Sequence, residues 1–287
     1  KSDTAKFTYD IKLIASADAG KTWGTPTTLH DDGKKAEHGF VSITPYKDQF
    51  IAAWLDGRKT AMEGDHSSHE GHHGEMTLRG ALLDKKGTKT KEWELDGRIC
   101  DCCQTTIAIT DNGPIVVYRD RSDEEIRDMS IVRFVNGEWT QPKTIFPDEW
   151  KIAGCPVNGP RADAVGNNLA IAWFSMKENK AQVKIIFSED GGATFKTPIQ
   201  VDEGKAIGRV DLVMLDNKTA MLSWMEGSTI KAIKVNADGS KGQPIVVAES
   251  SDSRSSGFPQ MTKAGDKLFF AWADNKAKTI KLASLTL

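Results

Sequence analysis

Four cysteines hold the most reactive chemistry of this chain. Three stand together in Cys100-Asp101-Cys102-Cys103, and the fourth, Cys155, lies between Gly154 and Pro156. A histidine-rich segment precedes the trio, with His66, His69, His72 and His73 followed by Met76, and His38 lies further upstream. Thiolate and thioether sulfurs favour Cu(I) and Zn, and imidazole suits both metals. The Cys-x-Cys-Cys spacing differs from the paired Cys-x2-Cys of structural zinc sites. These residue types point to a soft-metal site, copper first and zinc as the alternative. In that reading the His segment captures an ion and the thiolates hold it. Two other readings stay open. Four cysteines fit two disulfides in an oxidising compartment, with Cys155 bridged to one of the three upstream, or they supply a redox-active thiol pair. Short His-rich tracts also occur as solvated loops with adventitious metal affinity.

Such groups need elements to position them, and the elements repeat. Five apolar segments end on an aromatic: Phe50 to Trp54, Ile115 to Tyr118, Leu169 to Trp173, Ala220 to Trp224 and Leu268 to Trp272. The aromatics are 64, 55, 51 and 48 residues apart, periods that suit four-stranded propeller blades. A second strand type follows each segment, from Met76, Met129, Val183, Ile230 and Ile280, and an unpaired copy opens the chain at Asp10 to Ser16. With strands a to d running outward from the axis, strand c occurs six times and strand b five. A six-bladed β-propeller with an incomplete first blade is the simplest arrangement. Its blades are expected near 1–33, 34–97, 98–150, 151–204, 205–251 and 252–287, as one domain over 1–287. A complete chain is expected to begin upstream of Lys1. A pair of β-sandwiches with chance repeats is the competing architecture.

The turns support the propeller. Ser16, Asp18, Gly20 and Trp23 recur as Ser188, Asp190, Gly192 and Phe195, and both stretches fit Ser-x-Asp-x-Gly-x-Thr-aromatic. Asp and Ser side chains can bond nearby backbone N–H groups, Gly permits positive φ, and the aromatic is expected to pack beneath the turn. This pattern resembles the Asp-box, or BNR repeat, of sialidase-like β-propellers. The resemblance implies six-bladed geometry. In such a blade the d-to-a and b-to-c loops share one face, and the c-to-d turns lie on the other. All four cysteines fall in d-to-a connections. The His66–His73 segment and the run Arg119 to Glu125 fall in b-to-c loops. One rim should therefore collect thiols, imidazoles and carboxylates, with the Asp-boxes remote from it.

The resemblance says less about activity, because function lives in the site rather than the fold. Sialidases clamp a substrate carboxylate with three arginines and use a Tyr–Glu nucleophile with an Asp acid-base. The family's Arg-Ile-Pro signature does not occur here. Tyr9, Tyr46 and Tyr118 are the only tyrosines, and none falls in the last three blades, where the resemblance places the nucleophile. No appreciable sialidase turnover is expected. Arg161, Arg209 and Arg254 open successive inner strands and can bind an anion there, or can pair with the nearby Asp163, Asp211 and Asp252. A net charge of −2 without a basic stripe argues against a nucleic-acid partner. No apolar run approaches the ~20 residues of a membrane span. The reading is a periplasmic, cell-surface or secreted propeller whose partner is a metal ion. The alternatives are a glycan-binding or glycoside-hydrolysing module, and a scaffold that docks another cell-envelope protein.

Overall fold

A computed structural model of the chain describes residues 8–61 and 74–287. His66, His69, His72 and His73 lie outside the described residues. The described chain is built of antiparallel strands with three short 3-10 turns. The first sheet pairs β1 (Lys12–Leu13) with β2 (Thr27–Thr28). The second runs in order through β3 (His38–Tyr46), β4 (Gln49–Asp56), β5 (Thr77–Leu83) and β6 (Lys89–Asp96). The third holds β7 (Thr106–Thr110), β8 (Gly113–Arg119), β9 (Met129–Val135), β10 (Glu138–Trp139) and β11 (Lys143–Phe146), the last two both pairing β9. The fourth holds β12 (Arg161–Val165), β13 (Asn168–Ser175), β14 (Gln182–Ser188) and β15 (Ile199–Gln200). The fifth holds β16 (Ala206–Met214), β17 (Thr219–Glu226), β18 (Thr229–Asn236) and β19 (Ile245–Glu249). The sixth has three strands, β20 (Gln260–Ala264), β21 (Lys267–Asp274) and β22 (Thr279–Thr286). The architecture is the expected six-bladed β-propeller, with an incomplete first blade of two strands among the described residues.

The core lies between neighbouring sheets. Trp54, Tyr118, Trp173, Trp224 and Trp272 occupy the second strand of successive full sheets. β8 is buried at every residue, and β13 and β17 at all but the first. A strand covered on both faces reads as a continuous apolar run rather than an alternating one. β21 does alternate, and Phe269, Ile280 and Leu282 stay exposed, because among the described residues the sixth sheet packs on the fifth alone. A buried indole or phenol needs a partner for its polar atom, and four of the five aromatics have a carboxylate. Trp54 donates to Asp56 at 2.8 Å, Tyr118 to Asp96 at 2.5 Å, Trp173 to Asp148 at 2.6 Å and Trp224 to Glu226 at 2.7 Å.

The two motif turns connect β1 to β2 and β14 to β15, and their hydrogen bonds repeat. Ser16 and Ser188 donate to Asp18 and Asp190 at 2.8 Å each. The Gly20 and Gly192 N–H groups donate to those serines at 2.8 and 2.9 Å. Thr22 and Thr194 donate to the aspartates through both N–H and hydroxyl. The aromatics differ. Phe195 packs on the core between the third and fourth sheets, whereas Trp23 is 60% exposed. Trp23 still lies against its turn, with its ring 3.6 Å from where a Cβ on Gly20 would stand, but its outer face is open. The ring borders an open groove with Leu13, Ile14, Ile43 and Phe50.

Candidate metal centre at the loop rim

The loop between β6 and β7 is pinned to the end of β8. Ile99 bridges Asp120, its N–H donates to the Met76 carbonyl at 2.9 Å, and the Cys100 N–H donates to the Arg119 carbonyl at 3.1 Å. This turns the cysteine trio inward. Cys100 and Cys103 are 1% and 2% exposed, Cys102 is half-buried and Cys155 is exposed. Cys100 Sγ lies 3.8 Å from Cys102 Sγ and 3.6 Å from Cys103 Sγ, and all three sulfurs fall within 4.8 Å of one another. Cys155 reaches the same place from the loop between β11 and β12. Its sulfur, the Cys102 sulfur and an Asp101 carboxylate oxygen form a second group within 4.8 Å. All four cysteines are free thiols.

The two loops meet through close backbone packing. The Gly159 N–H donates to Gln104 Oε1 at 3.0 Å, and a Cβ on Gly159 would stand 2.2 Å from the Gln104 carbonyl oxygen. Only glycine permits that approach. Arg119 fastens the same region from below. Its guanidinium donates to the carbonyls of Asn158 at 2.8 and 3.2 Å, Arg127 at 2.6 Å and Phe174 at 2.7 Å, and it lies 4.8 Å from the centre of the Trp150 ring. Every acceptor in this set is a neutral carbonyl, and the side chain is 2% exposed.

A second guanidinium touches the thiols directly. Arg127 is buried and donates to Cys100 Sγ at 3.2 Å, while it also meets Glu125 at 2.8 Å and Asp101 at 3.5 Å. The Cys100–Cys102 contact can be drawn with either thiol as donor, while a protonated Cys100 donates to Cys103. The Arg127 N–H aimed at Cys100 favours a negative charge there, and an ionised Cys100 accepts from both neighbours. Hydrogen bonds from Cys102 and Cys103, with the Arg127 charge, hold the Cys100 thiol below its ordinary range against the opposing effect of burial. The Cys102 thiol is raised by its hydrogen bond to Cys100, and burial raises Cys103 most, with Arg119 pulling the other way. The contacts therefore favour ionisation at Cys100 over Cys102 and Cys103.

Two expected members lie elsewhere. His38 stacks on His30 with ring centres 3.6 Å apart and planes 4° from parallel, and its Nε2 meets Asp32 at 2.8 Å. Asp10, His30 and His38 do place donor atoms within 4.8 Å. However, parallel stacked imidazoles direct their in-plane lone pairs along parallel planes, which do not converge on one ion. Met76 packs in the core with Leu78, Ile99 and Tyr118. Neither His38 nor Met76 joins the thiol group. The guanidiniums of Arg119 and Arg127 are the members that sequence reasoning missed. A charged residue closing the fully apolar run Ile115 to Tyr118 was the available signal for Arg119, since a buried charge must find partners.

Of the three arginines, Arg209 and Arg254 stay together and Arg161 lies apart. Arg161 pairs with Asp211 of the next sheet at 3.4 Å, not with Asp163, whose carboxylate accepts the Ala164 and Met214 N–H groups. Arg209 donates to the carbonyls of Ser251 and Asp252 at 3.2 and 2.7 Å, and Arg254 to the Cys155 carbonyl at 3.2 Å. Arg209 and Arg254 line a cavity of about 360 Å³ with Trp150, Phe174, Phe258 and Cys155. Two lining residues, Val157 and Arg209, hold φ values of 50° and 55°. A β-branched residue there is a genuine outlier.

No family profile and no curated protein sequence matches this chain. Solved structures do resemble it in fold. A Hadza microbial sialidase aligns over 91% of this chain at 13% identity with a TM-score of 0.57. The chain spans 60% of that sialidase. A lectin of Aleuria aurantia, solved with α-methyl-L-fucoside, aligns over 91% of this chain and 80% of its own at 10% identity and a TM-score of 0.54. An ulvan lyase aligns over 80% of this chain and 60% of its own at 14% identity and a TM-score of 0.52. At these identities the likeness is one of fold.

Proposed function

We propose that this propeller binds a soft metal ion at its loop rim, copper(I) first and zinc(II) second. The observation that carries the reading is the buried trio of sulfurs at 3.6 and 3.8 Å. An ion held in a plane by three thiolates at about 2.3 Å separates its sulfurs by about 4 Å, and a tetrahedral ion by slightly less. The trio thus already stands near ligand spacing without an ion. Arg127, shared with Glu125 and Asp101, donates to Cys100 and offsets part of the trio's negative charge. Ligand softness then favours Cu(I). The test is a competition titration of reduced protein against a chromophoric Cu(I) chelator under anaerobic conditions. About one equivalent of Cu(I) is expected to leave the chelator, with weaker uptake at acid pH, because ligating thiols must lose their protons. No uptake at neutral pH overturns the reading.

A second reading has its own observation, the cavity beside Cys155. Its aromatic rings and Arg254 suit the apolar face and the hydroxyl or carboxylate groups of a saccharide. The propellers of similar fold include a sialidase, a lectin bound to a fucoside and a polysaccharide lyase. The role in this reading is binding rather than hydrolysis. Calorimetry with neutral and carboxylated saccharides tests it. Binding weakened by Arg254→Gln supports it, and no heat with any of them discards it.

A further inference from the structure

We propose that the four thiols form two overlapping three-donor sites rather than one. An inner trio of Cys100, Cys102 and Cys103 stores the ion, and an outer trio of Asp101, Cys102 and Cys155 loads and unloads it. This rests on the soft-metal reading and assigns a division of labour within it. Within each trio the donor atoms lie within 4.8 Å of one another, and Cys102 belongs to both. Exposure falls steadily along the path. Cys155 is exposed, Asp101 and Cys102 are half-buried, and Cys100 and Cys103 are sealed. A bulky donor complex can reach Cys155 but has no access to Cys103.

The donor sets also differ in the required sense. The outer site offers two sulfurs and one hard carboxylate oxygen, and the inner site three sulfurs. A soft ion therefore gains stability as it moves inward. The step is a ligand exchange without redox change. The ion keeps its bond to Cys102, bonds to Cys100 and Cys103 form, and the bonds to Cys155 and Asp101 break. Cys100 enters as the thiolate, and the proton lost by the Cys103 thiol passes to the departing Cys155 sulfur or to solvent. The structure holds the two sites in fixed relation. Arg254 fixes the Cys155 carbonyl at 3.2 Å, and Arg127 touches both Asp101 and Cys100. The delivering partner, by this chemistry, is a thiol-bound Cu(I) carrier.

The experiment compares Cys155→Ser and Cys103→Ser with the wild type, using Cu(I) carried by glutathione as the donor and a chromophoric chelator as the acceptor. Circular dichroism verifies the fold of each variant. Cys155→Ser should keep the one-equivalent stoichiometry and the equilibrium affinity, while transfer in both directions slows by about an order of magnitude or more. Cys103→Ser should lose affinity. Three results overturn the proposal: an equal loss of affinity in both variants, which makes one four-thiol site; two equivalents bound by wild type and one by Cys155→Ser, which makes two storage sites; or unchanged rates in Cys155→Ser. Failure of the wild type to bind Cu(I) at all would instead remove the soft-metal reading itself.

Discussion

Replacing Arg119 with Met is expected to lower stability by about 2–4 kcal/mol and to loosen both cysteine loops. The side chain makes four hydrogen bonds to three backbone carbonyls in three separate parts of the chain. Each bond from a charged donor contributes about 1.5–3 kcal/mol. Removing the guanidinium also releases a buried cation from its desolvation penalty of several kcal/mol, so the net loss is well below the sum of the bonds. What remains is the cost of the carbonyls of Asn158, Arg127 and Phe174 left without a donor in a dry interior. Asn158 matters most, because its side chain in turn accepts the Arg209 N–H at 2.8 Å and donates to the Ile207 carbonyl at 3.2 Å. Loosening Asn158 therefore frees the loop that carries Cys155 and disturbs the wall of the adjoining cavity. Chemical denaturation measures the first effect, and the rate of thiol alkylation measures the second. Arg119→Lys should not rescue either, since an ammonium has no planar fork to reach three carbonyls. A loss under about 1 kcal/mol with unchanged alkylation would show that the carbonyls find other donors.

Arg119 also marks where a sequence stops being legible. The repeated aromatics located the second strand of each sheet because burial on both faces enforces an apolar run, and Trp54, Tyr118, Trp173 and Trp224 then each need a local carboxylate. Up-and-down topology placed the cysteine loops on one rim, since strand direction alone decides which loops share a face. The same topology brings Cys155 beside Cys102 across more than fifty residues of sequence. It did not resolve contacts made sideways between sheets. Arg161 reaches Asp211 of the following sheet, and Asp163 serves backbone N–H groups instead. The radial register between neighbouring blades depends on side-chain volumes in the interleaved core, which no local pattern encodes. His38 went astray for a similar reason. Its stacking partner His30 and its acceptor Asp32 come from the connection out of the shortest sheet, and together they hold the ring against another set of carboxylates.

Cys100→Ser is expected to reduce Cu(I) affinity by about three orders of magnitude, or about 4 kcal/mol. Cys100 is the sulfur from which both short contacts are measured, at 3.8 and 3.6 Å, and the one to which Arg127 donates. A serine hydroxyl is a hard donor that stays protonated at neutral pH, so it cannot replace a thiolate for a soft ion. Cys102 and Cys103 remain, but two-coordinate binding would leave Arg127 facing a neutral hydroxyl and the ion without its third sulfur. The fold should survive, because the loop is anchored by the Cys100 backbone N–H to the Arg119 carbonyl and not by its side chain. The hydroxyl can also accept from Arg127, which limits the cost of burying it. Competition against a chelator of known affinity reads the loss, and denaturation of the metal-free protein checks that stability is nearly unchanged. Wild-type affinity in Cys100→Ser would mean that the ion sits on Cys102 and Cys155 alone, and the buried trio would then have no claim to be the storage site. A loss confined to Zn(II), with Cu(I) untouched, would reverse the order of the two metals, since a tetrahedral ion needs every donor the rim can supply.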